Sequence, residues 1–225
     1  MEGNVLWGGR METLYGKSPV MILHLAEQLE GTEAGEKLLD WVLSGLKAYS
    51  ENANVPEKNH YKPMWADGTD ISGQVMPRTG YYGEKGTPFK PLKPNGDMML
   101  ALAKAVRLSD GDEVLWNTFR HQFKGINFGD PGEKLVSEPD LNLETANADP
   151  KMLVMVLEIY KATQHPQFLK LAERIGDNIL EDKFHEGYFR PTVKHKYIKF
   201  DSPEPLALLM LEEARQGVLV TYLHI

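Results

Sequence analysis

Three short turns constrain this sequence more than any other feature. They occupy residues 26–32, 105–111 and 160–166, and each joins the apolar end of one helical pattern to the start of another. A turn this short returns the chain antiparallel to itself, so each marks a helical hairpin. The spacing between turns is irregular because long loops intervene. Hairpins repeated in this way bury their apolar faces against their neighbours.

Seven helices are predicted, over residues 18–29, 32–49, 97–108, 112–123, 150–163, 166–180 and 203–216. Ser18 is a cap candidate with Pro19 at the first helical position. Asp149-Pro150 and His165-Pro166 repeat that device. Ser202 is the cap expected for the last helix, and Gly217 its stop. The methionines Met98, Met99, Met152 and Met155 read as core filling. The expected fold is mainly α, an incomplete α/α toroid in one domain over residues 1–225, with long loops and a few short strands. Strands are expected near Tyr81–Tyr82 and Tyr188–Arg190. Seven helices do not close a toroid of twelve or more, and the apolar run at 218–225 has no obvious cover. Both point to a fragment of a longer catalytic domain or to completion by partner chains.

A net charge of −7 argues against a nucleic-acid partner, because phosphate binding needs a basic face. The absence of cysteine excludes disulfides, thiolate metal sites and a cysteine nucleophile. No apolar run reaches the length of a membrane span, so no membrane partner is expected. Met1-Glu2-Gly3-Asn4 lacks the features of a signal peptide, which leaves a cytoplasmic or periplasmic location open.

The loops hold the chemistry. Residues 59–70 combine His60, Trp65, Asp67 and Asp70. Trp65 offers a face for a sugar ring, or a buried anchor for the loop. Residues 77–86 hold Arg78, Tyr81, Glu84 and Lys85. Arg78 and Lys85 suit substrate carboxylates, and Glu84 is a hard oxygen ligand; a solvated turn is the bland alternative. Lys62 is a further cation for such a substrate. Arg120 and His121 fall near the end of the fourth predicted helix. Cations there also complement the helix dipole, which needs no function. Residues 184–201 add Arg190 among aromatic residues, with His185 and His195 as weaker candidates.

Three segments resemble the pectate lyases of polysaccharide lyase family two. They are Met64–Thr69, Phe119-Arg120-His121 with Phe128-Gly129-Asp130, and Lys199–Pro205. The resemblance implies a toroid whose cleft binds a uronic-acid polysaccharide or oligosaccharide such as polygalacturonate. It implies metal-assisted β-elimination, with a divalent transition metal (manganese, cobalt or nickel) held by two histidines and one glutamate. It carries an arginine base and one ligand onto Arg120 and His121. His60 is the match for the second histidine and Glu84 for the carboxylate. Trp65, Arg78, Tyr81, Lys85 and Arg190 are the candidate substrate contacts by residue type. Two readings compete. A glycoside hydrolase or unsaturated-uronyl hydrolase on the same fold would use Asp67, Asp70 or Asp201 as its acid, without metal. A non-catalytic carbohydrate-binding protein would need no base at all.

Overall fold

Short connections pair the helices, and the pairs set the architecture. The structure is a computed structural model that describes residues 5–6, 8–65, 67–80, 83–191, 194–195 and 201–218, with side chains from residue 18 onward. Tyr81, the strand expected at Tyr81–Tyr82, Lys199, Phe200 and most of the terminal apolar run lie outside the described residues. Seven helices are described: α1 (Gly8–Gln28), α2 (Glu33–Ala53), α3 (Gly96–Leu108), α4 (Glu113–Gly125), α5 (Pro150–Thr163), α6 (Pro166–Lys183) and α7 (Glu204–Arg215). Eight two-residue strands pair antiparallel: β1 (Val5–Leu6) with β4 (Met64–Trp65), β2 (Asn54–Val55) with β3 (His60–Tyr61), β5 (Gly129–Asp130) with β6 (Asp140–Leu141), and β7 (Phe184–His185) with β8 (Tyr188–Phe189).

The helices form two layers. α3 packs on α1 and α5, and α5 packs on α7, which makes one layer of the odd-numbered helices. α2, α4 and α6 each back onto the preceding member of that layer. A helix flanked on both sides within its layer and covered behind is buried nearly all round, so it is mostly apolar and any charge in it must be paired. Accordingly, every residue from Gly96 to Val106 in α3 is buried, as is every residue from Met152 to Ile159 in α5. α4 and α6 keep one polar face. This is the alternation of an α/α toroid, and the four methionines lie in its core.

The connections divide between the two ends. Residues 29–32, 109–112 and 164–165 are the short turns, and antiparallel hairpins place all three at one end. The long connections, residues 54–95, 126–149 and 184–203, therefore share the other end. Side-chain caps fix where several helices begin. Gly35 N donates to Thr32 Oγ1 (3.1 Å), Met98 N to Asn95 Oδ1 (3.0 Å), Leu115 N to Asp112 Oδ1 (3.2 Å), and Lys151 N to Asp149 Oδ1 (2.8 Å). His165 caps α6 through Nδ1, which accepts from Gln167 N (3.3 Å).

Two expectations need correction. Ser18-Pro19 does not begin the first helix, because α1 runs through it with Pro19 inside. An interior proline costs ~3 kcal/mol; Pro19 is buried, and the packing of α1 on α2 and α3 offsets the lost hydrogen bond. Ser202 does not cap α7. Its hydroxyl donates instead to the Glu204 carboxylate, which also holds Lys183 Nζ at 2.8 Å.

Candidate active site

Arg120 and His121 sit in the last two turns of α4, at the long-loop end. Aromatic packing fixes that helix. Trp116, Phe119, Phe123 and Phe128 form a ladder with ring centroids 5.6, 5.2 and 5.3 Å apart. Trp116 Nε1 donates to Gly132 O (3.2 Å) and Glu133 O (3.1 Å). Phe128 thereby anchors β5 beside α4. Gly129 is required next, since its φ is +89° and an added Cβ would lie 2.3 Å from Asp140 O.

That anchoring brings Asp130 to Arg120. Asp130 Oδ1 accepts from Arg120 Nε at 2.7 Å, and Oδ2 from Arg120 Nη2 at 2.8 Å. Lys124 Nζ (3.0 Å) and Gly132 N (3.0 Å) donate to the same carboxylate. The two separated halves of the Phe119–His121 and Phe128–Asp130 pattern thus meet in one bidentate pair. These donors, Arg120 first, hold the Asp130 carboxyl well below the usual carboxylate range. The hydrogen bond to Asp130 in turn raises the Arg120 pKa, so Arg120 is a firm cation here.

His121 is set up differently. Its Nδ1 is buried without a hydrogen-bond partner. Burial, then the charges of Arg120 and Lys124, push its pKa down. The imidazole is therefore held neutral, the form that binds a metal. The carboxylates acting on it most strongly are Glu57 and Asp130. Nothing in the local sequence pattern had marked Glu57. It lies in a single 3-10 turn at Pro56–Lys58, between β2 and β3, and that turn packs on α4.

The remaining candidates spread over the same end. His60 is half-buried on β3, opposite Val55. Trp65 is half-buried and packs on a separate small cluster of Ile71, Met76 and Phe89, so it anchors its loop while keeping part of its face open. Arg78, Glu84 and Lys85 are exposed in the turns beyond that cluster. Arg190 follows β8, and its Nη1 donates to His195 O (3.3 Å). Among the described residues, no three His, Asp or Glu side chains are grouped as a ligand set, so His60, Glu84 and His121 are not gathered together.

An open cleft of about 580 Å³ lies at the starts of α3, α5 and α7. Asp97, Asp149, Lys151, Asp182, Lys183 and Glu204 supply its charges. Lys151 pairs with Asp97 (2.6 Å) and Lys183 with Glu204 (2.8 Å). Of the cleft's charges, the sequence marks Asp149 as a cap, and Glu204 falls in the Lys199–Pro205 segment. The first turns of α3, α5 and α7 and the last turn of α6 share this end, which brings the others together.

Comparison with known proteins completes the description. A family profile described as periplasmic pectate lyase matches residues 1–222. The chain belongs to that family. A curated pectate disaccharide-lyase of Dickeya dadantii (strain 3937) is 30% identical over 214 residues, which is 93% of this chain. The chain spans 35% of that relative's length. Among the described residues of this family member, no helix is long and apolar enough to cross a membrane.

Proposed function

We propose that this chain carries the arginine–histidine part of a pectate lyase site and acts on polygalacturonate or its oligomers by β-elimination. Family membership supports the reaction class. The observation that supports the site is the Arg120–His121 pair at the long-loop end, with a buried, unpartnered nitrogen on His121. A periplasmic location follows from the family description on the same footing.

The donor chemistry fits a divalent transition metal. A neutral imidazole with an unpartnered nitrogen is a ligand in waiting, and imidazole with carboxylate suits manganese, cobalt or nickel. His60, His121 and one carboxylate, Glu84 or Glu57, would hold it. Bound there, it would act as a Lewis acid on the uronate carboxylate and stabilise the charge that builds as the C5 proton leaves. Arg120 takes that proton, the C5–H electrons form the C4–C5 double bond, and the C4–O bond breaks with its electrons on the departing oxygen. A guanidinium cannot accept a proton, so the Asp130 pair has to open and Arg120 has to lose its own proton to solvent water first. Arg78, Lys85, Arg190 and Lys62 neutralise the uronates flanking the cleavage point, and Trp65 and Tyr81 stack on sugar rings.

The hydrolase reading loses ground at two of its three candidate acids. Asp67 and Asp70 accept from Thr69 N (2.9 Å) and Ser72 N (2.7 Å), which lowers both carboxyl pKa values. A general acid needs the opposite shift. The test incubates the full chain with polygalacturonate and follows the ultraviolet absorbance of the unsaturated product, with and without chelator. Absorbance that chelator and Arg120→Ala both abolish is the expected result. New reducing ends without absorbance would sink the lyase reading. Sugar binding with no turnover would replace it with a non-catalytic carbohydrate-binding protein.

A further inference from the structure

We infer that Gln122, Asn59 and Gly125 are positioning residues that lash the hairpin bearing His60 to the turn of α4 bearing His121, and so set the affinity of that pair for a divalent metal. The inference rests on the proposed reading of His60 and His121 as ligands.

Three contacts join the two segments. Gln122 is fully buried, and its amide donates to Asn54 Oδ1 at 2.6 Å, across 68 residues of sequence. Asn54 opens β2 and pairs with Tyr61, so the tie falls one register position from the Val55–His60 pair. Asn59, the residue before His60, holds a left-handed φ of +49°. With its amide oriented to satisfy both neighbours, Asn59 Nδ2 donates to His121 O (3.0 Å) and Pro56 O (3.2 Å). The chain on one side of His60 is thus bonded to the backbone of His121. Gly125 is the third contact, because a Cβ there would lie 2.5 Å from Asn59 Cβ. Only glycine lets the hairpin settle this closely on the last turn of α4.

The ties are polar where an apolar contact would have held the elements together. An apolar face tolerates sliding, whereas a hydrogen bond inside the protein fixes one register. Gln122 also keeps its Oε1 buried without a partner, which is costly for a residue that only fills space. Groups that orient metal ligands without touching the metal have measurable weight, and losing one typically weakens binding by about 10–100-fold.

The test is manganese(II) and cobalt(II) titration of the full chain by calorimetry, with the visible spectrum of bound cobalt as a second readout. The variants are Gln122→Leu, Asn59→Ala and Gly125→Ala, each also made in a His60→Ala background. Each single variant is expected to weaken metal binding by about 10–100-fold and to alter the cobalt bands. The same changes are expected to have little further effect once His60 is gone, which a general loss of fold would not produce. Should Gly125→Ala fail to fold, the other two variants carry the test. Parent-like affinity and spectra in the variants, or equal losses with and without His60, would overturn this inference and leave the metal reading standing. A parent chain that binds neither ion would overturn both.

Discussion

Replacing Glu158 by glutamine is expected to destabilise this chain far more than any exposed ion pair can. Glu158 lies inside α5 with its side chain 1% exposed. Arg107 Nε stands 2.7 Å from one oxygen, and Lys161 Nζ 3.4 Å from the other. Arg107 continues to Glu27 on α1 (2.6 Å), and Lys104 pairs with that same carboxylate. Five charges therefore tie α1, α3 and α5 together at the short-turn end. Each close contact is worth up to ~4 kcal/mol at an effective dielectric of 20. Desolvation of the carboxylate removes several kcal/mol of that, and glutamine escapes it. The net loss for breaking a buried pair is ~3–5 kcal/mol. For a chain of 225 residues, that lowers the melting midpoint by about 6 to 20 °C. The matched control is Glu33→Gln. Its partner Lys37 is one helical turn away, and both side chains are largely exposed, at 75% and 81%. The control should move stability by no more than ~0.5 kcal/mol. Urea unfolding followed by circular dichroism, with calorimetry for the midpoint, measures both. A Glu158→Gln loss no larger than that of Glu33→Gln would refute the claim that this network holds the helix layer in register.

The same network predicts an acid limb. Glu27 and Glu158 have folded pKa values below their usual 4.5, so the stability they contribute is present above that pH and is lost as pH falls through the folded values; unfolding curves between pH 6 and pH 3 should show this fall, flattened in Glu158→Gln. Glu57→Gln and Glu84→Gln separate the two carboxylates available to a metal, and the one that acts as ligand should lose bound metal in elemental analysis while the other keeps it. Gly129→Ala should destabilise the chain by roughly 2 kcal/mol or more, from the forced φ and the clash with Asp140 O, as read by urea unfolding. Unchanged stability would contradict the required close approach.

Sequence reading reached the helices where the local chemistry is explicit. α5 begins at Pro150 and ends at Thr163 as the pattern requires, because Asp149 caps it and the proline fits its first turn. The start of α1 was missed because a proline normally ends such a pattern, and only tertiary packing keeps Pro19 inside a helix. α2 and α6 run further than expected, since nothing but the next loop stops them. The paired strands are two residues long, too short for any alternation to register. The site was half legible. Arg120 and His121 stand out by residue type and Asp130 only through the family resemblance, yet the pairing of Arg120 with Asp130 depends on how Phe128 packs. The Gln122–Asn54 tie spans 68 residues, and one sequence holds no signal for it.

The two ends of the helix layers divide the work. At the short-turn end, buried charges lock three helices together, so the opposite ends of those helices form a fixed platform. On that platform, the proposed ligands are held unequally. His121 belongs to a helix anchored by the Trp116–Phe128 ladder, and the His60 hairpin is bonded to that helix at several points. Glu84 sits instead on an exposed turn whose nearest support is the small cluster of Ile71, Met76 and Phe89. Fewer buried contacts mean a lower free energy of local opening. In the proposed site, Glu84 would have to be brought to the imidazoles, whereas Glu57 already lies on the turn packed against α4. With Glu84 as the ligand, metal affinity should respond to changes in the 71–89 segment even where they touch no ligand, since the ordering of that arm enters the binding free energy directly; with Glu57 as the ligand, it should not.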